Sequence, residues 1–238
     1  MLEEMYYRTI LGIFEQLYKT QQIPIGQGAR RIAESVRDGG ILHVFGSGHS
    51  EMVGKEITHR AGGLVPVSLI PDPSEGMAER VEGYGKTLMG AYERKYGLRS
   101  GEVLIVVSTS GCNPLPIEVA EVGKRHGLYT IAITSVEYSA RIPSRHSSGK
   151  RLFEITDLVI DNGVPAGDAV LEVEGLEQRV GPVSTLTGVF LINMLIIKTV
   201  EELLKSGNYP PILKSQNLPG ADEFNRKLLE LYKGRLNF

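Results

Sequence analysis

Five short apolar runs recur along the chain: Ile41–Phe45, Leu64–Ile70, Val103–Val107, Tyr129–Thr134 and Leu158–Asp161. Each is followed by a polar or glycine-rich turn and then by a helix-like segment. Because the runs are continuous rather than alternating, they imply strands covered on both faces. Strand–helix alternation implies parallel pairing through crossover connections. The expected architecture is α/β: a doubly wound, flavodoxin-like parallel five-stranded sheet flanked by helices, with Ala169–Val173 as a candidate sixth strand.

Before the first run, Ile10, Ile13, Phe14, Leu17 and Tyr18 recur at helical spacing between Glu3 and Gln22. A second helix is predicted over Gly28–Arg37, stopped by Asp38-Gly39-Gly40. A long final helix is predicted from Pro182 to Leu204, with Pro182 in its first turn and Gly207 placed to end it. Beyond Tyr209-Pro210-Pro211, a short helix is predicted near Glu223–Tyr232. With no internal repeat or linker, residues 1–238 read as a single domain with an N-terminal helical arm over 1–38 and a C-terminal tail over 208–238.

Lys and Arg number 26 and Asp and Glu 28, a net charge of −2, so there is no basic excess to recruit nucleic-acid phosphates or an anionic membrane surface. The most apolar stretch, Leu186 to Ile197, includes Asn193 and stops at Lys198, short of the roughly 20 residues that span a bilayer. Cys112 is the only cysteine, which excludes an intrachain disulfide and a thiolate metal cluster. The start, Met1-Leu2-Glu3-Glu4-Met5, carries acid where an export signal carries base. A cytoplasmic location is expected, without nucleic-acid or membrane partners.

Open parallel sheets bind ligands beyond the carboxyl ends of their strands. Two turns there are rich in chemistry: Gly46-Ser47-Gly48-His49-Ser50 after the first run and Ser108-Thr109-Ser110-Gly111-Cys112-Asn113 after the third. Each combines glycine, for a tight turn, with hydroxyl donors and a following helix whose N-terminal N–H groups attract an anion. Together they predict a neutral phosphate cradle, with Pro114 suited to the start of the second helix.

Other glycine-rich motifs fail on spacing. A dinucleotide fingerprint needs glycine where Glu51 stands. From Gly48 to Lys55 there is one residue too many for a P-loop, and Glu56 replaces the metal-binding hydroxyl. Gly48-His49-Ser50-Glu51-Met52 lacks the closing glycine of a nucleophile elbow.

Phe45-Gly46-Ser47-Gly48-His49-Ser50 and Val107-Ser108-Thr109-Ser110-Gly111 resemble, in order and separation, the two signature loops of the SIS (sugar isomerase) domain family, over roughly Gly28 to Leu204. That resemblance implies a three-layer sandwich and a sugar phosphate as ligand. It places Ser108, Thr109 and Ser110 on the phosphate, and Ser47 and Ser50 on phosphate or sugar. Gly48, His49, Gly111 and Asn113 complete the binding set. It also implies a homodimer or homotetramer with sites near subunit interfaces.

The second loop is closest to that of phosphoheptose isomerases, but Asn113 stands where those usually have serine, and Val183 to Leu204 lacks their histidine. The resemblance is nearest to standalone SIS proteins of unassigned reaction. A cofactor-independent aldose–ketose isomerase is the leading expectation. A lyase or etherase acting on a phosphorylated amino sugar, or a non-catalytic phosphosugar sensor or scaffold, are the alternatives.

Isomerisation needs an acid–base group near C1 and C2. Glu75, just after the second run, is the first candidate, although a carboxylate there can simply cap a helix. Glu56 and His59, at i and i+3, would share a helix face as a catalytic pair or as a structural hydrogen bond. His43 reads as core and His126 as a cation at a helix end. The five histidines show no paired ligand spacing, so no metal is expected. Residues 136–150, carrying Arg141, Arg145, His146 and Lys150, look like an insertion relative to the family after the fourth strand: either a disordered loop or a lid that brings Arg145 and His146 onto sugar hydroxyls or a second anion.

Overall fold

A computed structural model describes residues 1–237. Strands β1 (Leu42–Gly46), β2 (Val67–Ile70), β3 (Val103–Val107), β4 (Tyr129–Thr134) and β5 (Leu158–Asp161) form one sheet in the order β2-β1-β3-β4-β5. All neighbours in it are parallel, the doubly wound arrangement expected from the five apolar runs.

Alternate side chains of each strand enter different cores, which is why the runs are apolar throughout. Val103, Ile105 and Val107 join Leu42, Val44, Ile131, Ile133 and Ile160 in one. Leu104 and Val106 join Phe45, Ile70 and Ala132 in the other. The first core is closed by α1 (Leu2–Thr20), α2 (Gln22–Arg37), α3 (Glu51–Ile57) and the long helix Ser184–Lys205. The second is closed by α4 (Tyr84–Tyr96), α5 (Pro114–Arg125) and, past α6 (Val136–Arg141), the short α7 (Leu152–Ile155). Complete burial of a side chain such as Ile32 or Leu104 is worth about 1.5–3 kcal/mol. Helix α2 approaches closely because residue 28 is glycine: a Cβ there would lie 3.1 Å from Leu195 Cδ1 and 3.2 Å from Ile131 Cδ1.

Several boundaries differ from expectation. Helix α2 starts at Gln22 rather than Gly28, with Pro24 in the first turn, where a missing N–H breaks no intrahelical bond. Only Val67–Ile70 of the second run pairs in the sheet, and Leu64 bridges Ile212 of the tail. The candidate sixth strand stays outside the main sheet: β6 (Ala169–Leu171) pairs antiparallel with β7 (Val180–Pro182). Pro182 therefore lies in a strand, and α8 (Ser184–Lys205) begins two residues later, where Asp168 accepts from the Val183 and Ser184 amides and the Ser184 hydroxyl. Gly207, at φ 74°, follows the end of α8 as expected, and α9 (Ala221–Glu230) supplies the tail helix.

The tail is fastened through a buried polar cluster. Arg235 donates to both oxygens of Glu102 at 2.7 and 2.9 Å. Glu102 also accepts from the Ile41 and Arg99 amides and contacts the fully buried imidazole of His43. No described helix is long and apolar enough to cross a membrane.

Candidate ligand site at the switch point of the sheet

From β1 the chain crosses to β2 on one side, whereas β3 proceeds to β4 on the other. The crevice between the carboxyl ends of β1 and β3 is thus the topological switch point, where open α/β sheets bind ligands. Gly46 lies opposite Val107 in the parallel register, so Ser47 and Ser108 leave the sheet side by side. The two hydroxyl-rich loops flank one crevice.

In the first loop, Gly48–Ser50 forms a 3-10 turn that runs into α3. Ser47 does not cap this turn with its side chain. Its hydroxyl donates instead to Asp72 Oδ2 at 2.7 Å. Asp72 is 4% exposed and also accepts from the Ser74 amide and hydroxyl and the Gly76 amide. Burial alone would raise the Asp72 carboxyl, but the hydrogen bonds from Ser47, Ser74 and Gly76 outweigh it and hold the group below its ordinary value. The segment after β2 is thereby pressed onto the first loop: a Cβ on Gly76 would come within 3.3 Å of Gly48 Cα.

The second loop is clamped from behind. Thr109 O accepts from the Ser135 amide and the Thr134 hydroxyl, and Gly111 O accepts from the Leu152 amide. Gly111, at φ 58°, leaves no room for a side chain, since a Cβ would meet Thr134 Oγ1 at 3.0 Å and Ser139 Oγ at 3.1 Å. Ser108 Oγ accepts from the Gly111 amide, while Thr109 and Ser110 are partly exposed. The expectation of free amides at the start of α5 is not met. Pro114 and Pro116 have none, and the Leu115 amide donates to Glu79 O. Donors to an anion must come from the loop itself.

Asn113 links this loop to two further groups. Its Oδ1 accepts from Arg145 Nη1 at 2.8 Å, and its side chain is close enough to the Glu79 carboxyl to favour the ionised form. Burial pushes the Glu79 carboxyl above its ordinary value, and nearby Asp72 adds to the shift against the opposing pull of Asn113, Arg80 and Arg145. A carboxyl moved toward neutrality beside a hydroxyl-rich crevice is suited to proton transfer.

The profile of the SIS domain matches residues 5–135. A UPF0309 protein of Listeria innocua is 37% identical over 240 residues, covering 97% of this chain and 96% of its own. This chain belongs to the SIS domain family, among its UPF0309 proteins. The SIS fold is shared with a phosphoheptose isomerase of Neisseria gonorrhoeae (TM-score 0.57, 16% identity, 84% of this chain and 100% of that one). It is also shared with the Vibrio vulnificus NanR protein complexed with ManNAc-6P (TM-score 0.53, 13% identity, 99% of this chain and 71% of that one).

Of the SIS chain's expected acid–base groups, none lies where Glu79 does. Glu75 is exposed at φ 51°, next in the chain to the Gly76 that approaches the first loop. Glu56 and His59 do not share a helix face, because α3 ends at Ile57 and Thr58 is extended. Glu56 is instead bonded by Arg60 and by Asn193 of α8, and His59 faces a groove formed by the tail around Leu213–Asn217. His49 is exposed on the first loop, and Ser50 is half-buried at the start of α3.

Residues 136–150 are folded rather than open. They begin with α6, and the Arg145 amide donates to Cys112 O, which docks the segment on the second loop. Arg145 reaches the crevice rim, whereas His146 turns away toward Ser148 and Glu82. Sequence reasoning missed Asp72 and Glu79. Asp72-Pro73-Ser74 carries the signal of an Asx turn, now seen as Ser74 N to Asp72 Oδ1. Glu79 carries no local signal, because its environment is assembled from α5 and the segment after α6.

Proposed function

We propose that the switch-point crevice binds a sugar phosphate, with the phosphate on the hydroxyls of Ser108, Thr109 and Ser110 and the amide of Ser110, and the sugar toward Asn113, Arg145 and Glu79. The supporting observation is the pairing, across Gly46 and Val107, of two hydroxyl-bearing loops beside a carboxyl held toward its neutral form. Ser47, whose proton goes to Asp72, offers the crevice an acceptor rather than a phosphate donor.

The reaction we infer is aldose–ketose isomerisation without a cofactor. Glu79 as carboxylate takes the proton from C2 to give an enediolate, the O2 hydroxyl proton passes to O1, and the protonated carboxyl returns its proton to C1. Burial suits this cycle because it narrows the free-energy gap between the two protonation states. Arg145 at the rim would stabilise charge developing on the carbonyl oxygen. Glu75 is the second carboxylate within the same loop cluster. Assembly into a homodimer or homotetramer belongs to this reading, with exposed Met5, Leu11, Leu186 and Ile197 as apolar surface for it, and sedimentation in solution tests it.

A sensing role without turnover is the second reading, favoured by the likeness to NanR complexed with ManNAc-6P. Thermal-shift screening of hexose, pentose, heptose and N-acetylamino-sugar phosphates identifies the ligand, since binding to the native state alone raises the melting point. Solvent deuterium appearing at C2 of that ligand marks an isomerase; stabilisation without exchange marks a sensor. Absence of any shift across the panel overturns both.

A further inference from the structure

Outside the crevice, one group of side chains lacks a role. His146 is 6% exposed, and its Nε2 has no hydrogen-bond partner. The ring is held by Nδ1, 2.8 Å from Ser148 Oγ, a hydroxyl that also accepts from the Lys150 amide. A metal ion at Nε2 requires the tautomer in which Nδ1–H donates to the Ser148 hydroxyl; in the other tautomer Nδ1 accepts from the Ser148 amide at 3.3 Å. Its neighbours are carboxylates: donor atoms of His146, Glu82 and Glu118 all lie within 4.8 Å of one another, with Glu82 Oε1 3.6 Å from Nε2. A buried ring nitrogen without a hydrogen-bond partner, beside two carboxylates of which one is fully buried, is an arrangement that a cation would complete.

We propose that Glu82, Glu118 and His146 form a binding site for a divalent transition-metal ion, zinc being the best match. One imidazole and two carboxylates suit Zn2+, which accepts mixed nitrogen and oxygen ligands, and three protein ligands leave a fourth position open. Glu118 is fully buried and already oriented, accepting from the Gly83 amide at 2.6 Å and the Gly85 amide at 2.8 Å. Ser148 orients the imidazole in the same way. Zinc bonds of about 2.0–2.2 Å require donors roughly 3.4 Å apart, so the group must contract by a little over ~1 Å. Exposed Glu82 supplies that movement by rotation. Lys86, whose ammonium lies 3.3 Å from Glu118 Oε1 and is half exposed, must swing outward.

The three ligands come from the segment before α4, from α5 and from the segment after α6, so the ion would tie these together. Arg145, adjacent to His146, would thereby be held against Asn113 at the crevice rim. The site stands apart from the sugar-phosphate reading, because metal uptake is measured with no sugar present.

The full-length protein, stripped with chelator, is titrated with Zn2+ by calorimetry and with Co2+ by visible absorption. One equivalent of each is expected, with a cobalt d–d band. Glu82→Gln and His146→Gln should each weaken Zn2+ binding by at least about 100-fold, beyond the 10- to 100-fold typical of outer-shell changes. Lys86→Met removes a competitor for Glu118 and should tighten it. Glu82→Gln alters an exposed side chain, so its fold, checked by circular dichroism, is expected to persist. No stoichiometric uptake by the wild type, or uptake undiminished in Glu82→Gln, overturns the proposal.

Discussion

The Ser47 hydroxyl donates to Asp72 Oδ2 at 2.7 Å, joining the first crevice loop to the segment that follows β2. A serine that the sequence suggests as a phosphate donor thus holds together the two turns that build one wall of the crevice.

Asp72→Ala leaves the Ser47 and Ser74 hydroxyls and the Gly76 amide without their acceptor. The expected loss is about 2–3 kcal/mol, or roughly 4–12 °C in melting temperature for a chain of this size. Asp72→Asn should cost less. Because the folded Asp72 carboxyl lies below its ordinary value, its contribution is complete above the unfolded pKa, about 3.9, and fades as pH falls toward the folded one. Thermal unfolding across pH checks this, and an Asp72→Ala protein that melts with the wild type removes Asp72 from the loop framework.

Glu79→Gln separates activity from stability. The folded Glu79 carboxyl lies above its ordinary value, so the fold binds this proton more tightly than the unfolded chain does. Its contribution to stability therefore declines as pH rises from the unfolded pKa, about 4.3, through the higher folded one. Glutamine removes that penalty while keeping an amide near Asn113. At neutral pH the variant should melt at or above the wild-type temperature, while deuterium exchange at C2 falls by about 100-fold or more. Retained exchange would transfer the acid–base role to another group, Glu75 first.

Ser110→Ala should leave stability within about ±0.5 kcal/mol, since its partly exposed hydroxyl accepts only a weak contact from the Cys112 thiol. Ligand-induced stabilisation by phosphorylated sugars should vanish. An unaltered shift takes Ser110 out of the site.

Arg235→Ala tests the tail clasp apart from the crevice. It leaves the Glu102 carboxylate, 2% exposed, without its bidentate partner. Removing one member of a buried pair costs about 3–5 kcal/mol, which is roughly 6–20 °C here. Burial pushes the Glu102 carboxyl up, but His43, the Arg99 amide and Arg235 together hold it below its ordinary value, so this stability too is lost as pH falls. The sugar-phosphate shift measured from the lower melting point should persist, and its loss would mean that the clasp shapes the crevice.

The sheet and its switch point were legible from the apolar runs, because a strand buried on both faces must be apolar at every position, as Val103–Val107 is. The two loops were legible because glycine and hydroxyls directly after a strand serve few purposes. Edge details were not. Ala169–Leu171 has strand composition, but whether it joins the main sheet depends on Val180–Pro182, which a local pattern does not encode. Glu56 and His59 had the right spacing for a shared face, yet the helix ended between them.

Local order in the chain thus determined the fold class and the two loops that face each other, since backbone periodicity and turn chemistry act over a few residues. Tertiary structure alone decided which charged groups count. Asp72 is held below its ordinary value because it collects donors from two segments, Glu79 is raised because the fold buries it, and Glu82, Glu118 and His146 meet from three places in the chain. Desolvation and charge pairing depend on what surrounds a group in space, and spacing along the sequence does not carry that information.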